Sequence, residues 1–561
     1  MDIKINIKQK IDAAISPETF VQLLLKERGI ENIADFMQPP HPSTIPLSFF
    51  FKEKPSFKKD WAAVIKLLKK IHASGETIVV YTDYDADGVT GGTILWEALH
   101  KLGFKTMPYI PDRKKEGYGF SEIGLDHVKK EFNPALIFSV DHGIVAHKQI
   151  TYAKEKLGIP IIVTDHHQMQ EIEPQDALAV FHITSLCGSS VAYFVAKELA
   201  KEFGAPGEEN GGLQEFKRDY IALAATGTIA DLVPLTGVSR SVAKYGLEAY
   251  SSSVRYGLRH ILKQAGLDGK PITPYEVGYI IAPRINAFGR LDHALEAMRL
   301  LCTKSYAKAV ELAAKAGTIN KTRQDLVSVA QKKADKLADS EKKIIIVRDD
   351  SWEEGIIGLI AGKLMNRHSK PVIVMTRSNG HAKASVRSIP GVDITKFLTS
   401  KEIRKHLTDV GGHAAAAGFS IPLENIDEFT KAAQAKAEKE ITKEMMRPVI
   451  NVDFEVPISF VTMDLVKKLS QLEPFGMGNP QPNFIVEGTI KDLLPFGKKK
   501  EYVRINMFDG DMSFLEVTFF DKPQVPLKIG DTIRAIFTLK IDTWGGKIKL
   551  AAMGRHVSNK V

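Results

Sequence analysis

The chain has 561 residues, of which 44% are hydrophobic and 25% charged, an ordinary composition for a soluble globular protein and too long for a single core, so three or four domains are expected. No run approaches the roughly 18–20 apolar residues that span a bilayer, and the opening MDIKINIKQKIDAAIS lacks a signal-peptide apolar core, so no membrane role and a cytoplasmic setting are expected. Cys187 and Cys302 form no CxxC pattern, which excludes a disulfide framework and a thiolate zinc site, while the net charge of 76 − 67 = +9 only weakly favours a polyanionic partner.

Residues 1–75 are helical in pattern, broken by QPPHPSTIP (38–46), and are expected to pack on the domain that follows. Over 76–240, short apolar runs (TIVVYTD, ALIFSVD, IPIIVTD) each precede an amphipathic segment of helix length, the rhythm of a parallel α/β sheet. Residues 241–340 are mainly helical and end in a connector helix from about Ser305 that Gly317 is expected to bend. A second, smaller α/β unit is predicted over 341–445. From 446 to 561, five strand-like runs separated by Gly, Asp and Lys turns predict a small all-β barrel, an OB-fold.

Four clusters carry chemistry. TDYDADG (82–88) ends a strand with Asp83, Asp85 and Asp87 at every second position, which places three carboxylates on one side of an extended segment. FSVDHG (138–143) delivers Asp141, VTDHH (163–167) delivers Asp165, His166 and His167, and TGTIADLVPL (226–235) delivers Asp231 from an apolar context. A single Asp after a strand is usually a turn residue or helix cap. Several carboxylates brought together would repel one another unless a cation sat among them. Oxygen ligands mixed with imidazole suit Mn²⁺ or Mg²⁺, and this many ligands predict two ions about 3.5–4 Å apart, sharing one carboxylate and serving an in-line phosphoryl transfer.

The clusters, in this order, resemble the DHH phosphoesterase superfamily, whose triplet here is Asp165-His166-His167. DYDADGVTG (83–91), IPDRKKEGYGF (110–120), APRINAFGR (282–290), INKTRQ (319–324), ASVRSIPG (384–391), GGHAAAAGF (411–419) and LEPFGMGNPQP (472–482) look like landmarks of its RecJ family, from about residue 30 to the end. The resemblance implies a DHH domain, a DHHA1 domain across a groove from it, and an OB-fold. It implies that Asp85, Asp87, Asp141, His166 and Asp231 bind two ions, Mn²⁺ or Mg²⁺, with Asp141 as the bridge and Asp83 as a ligand or support. His167 would face the scissile phosphate and Asp165 would orient the imidazoles. Ser385, Arg387, Ser388, Gly412 and His413 would hold the terminal nucleotide and its 5′ phosphate, and Arg113, Tyr118, Arg284, Asn286 and Arg290 would contact nearby backbone or bases. On the barrel, Tyr502, Arg504, Phe519 and Trp544 are candidates for a stacking groove, of which Trp544, in the Gly-rich TWGGK turn, is the best placed.

Three positions depart from the family pattern: His142 after Asp141, where an added imidazole could tune the metal site, join it or do nothing, AVFHITS (179–185) in place of an Asn-Pro-Asn run, and Glu353 where His is usual. None removes an expected ligand. The implied activity is single-stranded-DNA-specific 5′–3′ exonucleolytic hydrolysis to 5′-mononucleotides, in DNA repair and recombination, by a monomer helped by a single-strand-binding protein and a helicase. The alternatives are a phosphodiesterase for short RNA or cyclic dinucleotides, against which the barrel and long tail argue, and a non-catalytic DNA-binding scaffold, against which the complete ligand set argues.

Overall fold

The computed structural model describes residues 3–11, 15–113, 115–169, 171–378, 380–510, 513–521, 523, 525–543 and 546–559. Two compact units divide the chain: one holds Asn6–Asn286, His293–Ala314 and Asn451–Val561, the other is built on Lys315–Ile450. The connector expected from the sequence is a single helix, Tyr306–Leu337, about 48 Å long at 1.5 Å per residue, and Gly317 does not end it.

The first strand, β1 (Lys4–Lys10), shows alternating half-buried and exposed residues, the period of a strand rather than of the helix expected there. It lies beside β12 (introduced below), so the chain's start joins the C-terminal sheet. The helix Pro17–Glu27 follows it there: Phe20 packs 4.5 Å from Phe454 and 5.4 Å from Phe460, and Leu24 and Leu25 share the same core. Only the later part of the N-terminal segment packs where the sequence reading put all of it. The Lys197 ammonium, on the helix Gly188–Phe203, donates to the Pro42 carbonyl (3.1 Å), the Ser43 carbonyl (3.2 Å) and the Ile45 carbonyl.

Strands β2 (Thr77–Thr82), β3 (Lys105–Tyr109), β4 (Leu136–Val140), β5 (Ile161–Asp165) and β6 (Ala179–His182) form one parallel sheet in the order β3-β2-β4-β5-β6. β2, β4 and β5 are buried throughout, because helices cover both faces and leave no room for alternation. On one face Val79, Tyr81, Ile137 and Val163 meet Leu125, Val128 and Ile150. On the other, the helices Ala86–Lys101, Gly188–Phe203 and Glu215–Ala230 pack together. The chain leaves β2 toward one edge and returns past it to β4, so the crevice at the carboxyl ends of β2 and β4 is the switch point where open α/β sheets hold ligands.

In the other unit, β7 (Ile345–Arg348), β8 (Val372–Ser378), β9 (His381–Arg387), β10 (Asp409–His413) and β11 (Ala416–Pro422) make a mixed sheet ordered β10-β11-β9-β8-β7. The helix Ile357–His368 packs on one face and Ile426–Glu440 on the other. The third sheet begins with β12 (Val449–Glu455), which pairs in parallel with β13 (Phe484–Phe496). With β14 (Tyr502–Phe508), β15 (Phe514–Phe519), β16 (Thr532–Asp542) and β17 (Lys549–Asn559), β13 closes a five-stranded barrel, β13-β14-β15-β17-β16 and back to β13, whose β15–β17 pair is parallel. This is the OB-fold anticipated from the spacing of the runs. Among the described residues no helix is long and apolar enough to cross a membrane.

Candidate metal centre

The carboxyl ends of β2, β4 and β5 deliver three of the acidic and histidine clusters, and the C-terminus of the helix Glu215–Ala230 delivers Asp231. After β2 the chain turns into the helix Ala86–Lys101, with Asp85 as its cap: Asp85 Oδ1 accepts from the Asp87 N–H (2.9 Å) and the Gly88 N–H (3.1 Å). Asp87 then lies inside the first helical turn and is buried. Its Oδ2 accepts from the Gly188 N–H at 2.6 Å and its Oδ1 from the Ser189 N–H at 2.9 Å, so the start of the helix Gly188–Phe203 clamps the carboxylate. Asp141 follows β4 with φ 67°, a left-handed conformation that short polar side chains tolerate best. This conformation aims its carboxylate at the His166 ring, Oδ1 to Nε2 3.1 Å.

His166 Nε2 is the hub. It lies 3.5 Å from Asp231 Oδ2 and 3.8 Å from Asp87 Oδ2 as well. Three sets of possible ligand atoms converge within 4.8 Å of one another: Asp141, His166 and His167; Asp87, His166 and Asp231; and Asp83, Asp85 and Asp141. Asp141 and His166 each belong to two sets, the sharing expected where two ions have a common ligand. Asp141 Oδ1, His166 Nε2 and Asp83 Oδ1 are buried without a hydrogen-bond partner. Polar atoms left in that state cost free energy unless something else coordinates them.

The electrostatics agree. Burial, reinforced by neighbouring carboxylates, pushes Asp83 and Asp141 well above the usual carboxylate range, raises Asp85, and raises Asp231 to about 8. Burial lowers His166, which favours the neutral imidazole that ligates metals. The donor set therefore fits divalent cations of the oxygen-preferring kind.

Asp165 stands apart as a support. Its Oδ1 accepts from the backbone N–H groups of His166 (2.7 Å) and His167 (3.0 Å) and from His167 Nδ1 (2.8 Å), while Oδ2 accepts from the Ile144 N–H (2.9 Å). Burial alone would raise its pKa, yet the His167 hydrogen bond and charge and these backbone donors outweigh it and hold Asp165 well below the usual range. Burial pulls His167 down, but the Asp165 partnership lifts it to about 9, which leaves Nε2 facing the Tyr118 hydroxyl at 3.3 Å. Tyr118 also donates to the Asp141 carbonyl (3.2 Å).

The other candidates named from the sequence make the following contacts. His142 lies outside the three ligand sets: its ring is buried against Tyr81 and Phe120, Nε2 pairs with the Tyr81 carbonyl at 3.1 Å, and burial lowers its pKa to about 4. Asn286 Oδ1 accepts from the Ala86 N–H at 2.7 Å, bracing the helix that carries Asp87. Arg113 stacks over Tyr84 (4.9 Å), whose ring meets Tyr118 edge-on. Arg284 donates to the Ile280 carbonyl (2.6 Å) within its own helix. In the other unit Arg290 donates to the Gly355 carbonyl (2.9 Å). The register there aligns His413, Ala416 and Arg387 in one row across β10, β11 and β9. Arg387 Nη1 donates to the Ser385 hydroxyl (3.3 Å), and both side chains lie against Gly358, at the start of the helix Ile357–His368. Gly412, at φ 144°, has Ala416 and Ala417 too close to admit a Cβ. The Ser388 hydroxyl is engaged by the Val392 carbonyl (2.8 Å). On the barrel, Phe519 is core, whereas Tyr502, Phe496 and Phe520 form a ring cluster with Arg504 over Phe496 at 4.9 Å. Trp544 lies outside the described residues.

The sequence reading missed three supports. One is the Gly188–Ser189 clamp on Asp87. A second is His182, whose Nε2 meets the His167 carbonyl at 2.7 Å and holds the histidine turn. The third is the LEPFGMGNP segment, which packs on the turn after Asp231: the Leu235 N–H donates to the Met477 carbonyl (2.7 Å), and Gly478 sits on Pro234. Gly478 has φ 72°, and a Cβ there would lie 2.8 Å from Pro234 Cβ. Gly478→Ala is expected to destabilise the protein by about 1–3 kcal/mol and to weaken Mn²⁺ binding through Asp231. Parental melting together with parental metal affinity would show that this contact does not position Asp231.

A parallel sheet whose switch point gathers this carboxylate and histidine set defines a DHH-type protein, here with two further lobes. Residues 77–228 match the family described as DHH family, N-terminal domain, residues 341–439 the DHHA1 domain and residues 452–556 the RecJ OB domain. The single-stranded-DNA-specific exonuclease RecJ of Bacillus subtilis (strain 168) is 33% identical over 86% of this chain and 61% of its own length. The crystal structure of exonuclease RecJ bound to manganese is 34% identical over 68% of this chain and 94% of that one, with a TM-score of 0.58. RecJ from Thermus thermophilus in complex with Mn²⁺ superposes with a TM-score of 0.82 at 26% identity, over 100% of this chain and 80% of that one. The chain belongs to the RecJ family. It spans about three fifths of the length of the curated Bacillus and Thermus relatives, 61% and 62%.

Proposed function

We propose that the chain is a single-stranded-DNA-specific 5′–3′ exonuclease acting in DNA repair and recombination, with two divalent ions, Mn²⁺ or Mg²⁺, as cofactors. The observation that carries this reading is the convergence of three possible ligand sets on Asp141 and His166 at the sheet's switch point. Asp83, Asp85, Asp87, Asp141, His166 and Asp231 would hold the ions. Bound there, they supply an activated water and neutralise charge developing on the phosphate. His167, held by Asp165 through Nδ1, would present Nε2 to a phosphate oxygen.

Selectivity for a single strand draws on separate surfaces. Arg387, Ser385 and the N-terminus of the helix Ile357–His368 combine a guanidinium, a hydroxyl and backbone donors, the chemistry that captures a terminal phosphate. The Phe496, Tyr502 and Phe520 cluster with Arg504 provides a stacking platform on the barrel that tolerates any base. A monomer, with a single-strand-binding protein and a helicase as helpers, completes the proposal.

End-labelled DNA tests it. With Mn²⁺ or Mg²⁺, 5′-phosphorylated single strands should be shortened to mononucleotides from the 5′ end, duplex should persist, and chelator should stop turnover. Equal digestion of duplex, release from the 3′ end, or chelator-resistant turnover would each overturn the proposal.

A further inference from the structure

One helix passes the metal centre and begins in an exposed aromatic pair. A capping box starts it, with the Tyr275 N–H donating to Thr273 Oγ1 (3.2 Å) and the Thr273 N–H to Glu276 (2.9 Å). It then runs through a π-helical turn, Val277–Ile281, and continues as Ala282–Leu291. Two features tie it to the site. Asn286 braces Ala86, beside Asp85 and Asp87, and the π turn runs alongside the helix Glu215–Ala230, whose C-cap is Asp231. Tyr275 and Tyr279 flank Gly278. They are 61% and 73% exposed, and their rings stack at 4.9 Å and 28°.

The fold does not require these rings, since neither is buried. An exposed apolar surface beside a reaction centre marks a binding surface, and π turns accompany functional sites. The pair is fixed at its start by the capping box and its helix farther along by Asn286, so it is organised before any ligand arrives. Leu232, immediately after Asp231, is a further apolar side chain left 65% exposed. The occupant that fits is an unpaired nucleobase: its π face stacks on a phenol ring whatever its identity, and duplex bases, already stacked, cannot reach it.

We propose that Tyr275 and Tyr279 form a base-stacking subsite for nucleotides of a single strand whose end lies at the metal centre. The inference rests on the nuclease reading above and adds the residues that engage the strand beyond the two nucleotides flanking the scissile bond.

The test uses the full chain, a 5′-phosphorylated 20-residue oligothymidylate for binding in chelator, and a 5′-phosphorylated thymidine dinucleotide for turnover in Mn²⁺. Tyr275→Ala with Tyr279→Ala should weaken oligonucleotide binding about tenfold. The salt dependence of binding should stay unchanged, because no phosphate contact is lost, and dinucleotide hydrolysis should stay at the parental rate. Phe at both positions should restore binding and Leu should not. In the parent, 2-aminopurine scanned along the strand should be quenched at one or two positions, and the Ala variant should lose that quenching. Parental affinity in the Ala variant, rescue by Leu as good as by Phe, or a matching fall in dinucleotide hydrolysis would each overturn the subsite. A parent that neither binds nor cuts single strands overturns the nuclease reading itself. A parent that cuts normally while the Ala variant is indifferent removes only the subsite.

Discussion

Asp141→Asn is expected to reduce hydrolysis by more than about a hundredfold while leaving the metal-free protein at least as stable as the parent. The lower bound follows from the 10–100-fold cost of losing groups that merely support a metal ligand, which a shared ligand should exceed. Asn suits the test better than Ala because it tolerates the left-handed backbone at φ 67° and keeps the backbone bonds to Thr164 and Tyr118. The stability expectation follows from the carboxylates themselves. Asp141 and Asp231 have folded pKa values above their unfolded ones, Asp231 at about 8 against 3.8, so between these values the folded protein holds protons that the unfolded chain has lost. Their contribution is therefore complete below about pH 4 and is lost as pH rises toward 8 and beyond. In chelator the parent should melt at a lower temperature at pH 8 than at pH 5, and Asp141→Asn should soften that fall. Mn²⁺ at a hundredfold excess over its Kd should return about 2.7 kcal/mol to the parent and little to the variant. Activity within tenfold of the parent, or an equal metal-induced shift in melting, would falsify the assignment of Asp141 as shared ligand.

The second large effect is expected from Gly227→Ala, which alters no ligand. A Cβ at Gly227 would stand 2.1 Å from Asp87 Oδ1 and 2.1 Å from Ser189 Oγ. Neither neighbour can yield freely, because the Gly188 and Ser189 N–H groups clamp Asp87 and the helix carrying Gly227 is buried among its neighbours. Overpacking of this kind costs about 1–3 kcal/mol. The sharper consequence is displacement of Asp87, with Mn²⁺ affinity falling by at least about tenfold. Isothermal titration with Mn²⁺ beside thermal melting separates the two effects. A variant that loses stability but binds Mn²⁺ as tightly as the parent would show that the clamp is structural only.

Both expectations depend on groups of very different legibility. The apolar runs that became β2, β4 and β5 were plain in the sequence because strands buried on both faces need uninterrupted apolar residues. The carboxylates at their ends could be read for the same reason: a polar residue closing such a run has nowhere to go but the strand's end. The glycines around Asp87 carried no such mark. Gly227 is one of several small residues in an apolar helix, and only the approach of Asp87 and Ser189, both distant in the chain, makes it indispensable. The sequence leaves the part played by His142 open, because adjacency to Asp141 does not show that the turn at φ 67° sends the two side chains to different surroundings. Nothing local marks Asn286 as the brace of a helix start 200 residues earlier in the chain.

The four clusters, the order of the domains and the closed barrel were determined by the sequence itself, through local periodicity, turn residues and the fact that carboxylates at strand ends share one crevice. The tertiary structure alone decided that carboxylates from separate clusters converge on His166 and that the chain's first strand belongs to the last sheet. Those outcomes depend on which distant segments come within hydrogen-bonding reach. Periodicity along the chain carries no record of that distance, and a charge buried at a switch point is set by its neighbours rather than by its own position in the sequence.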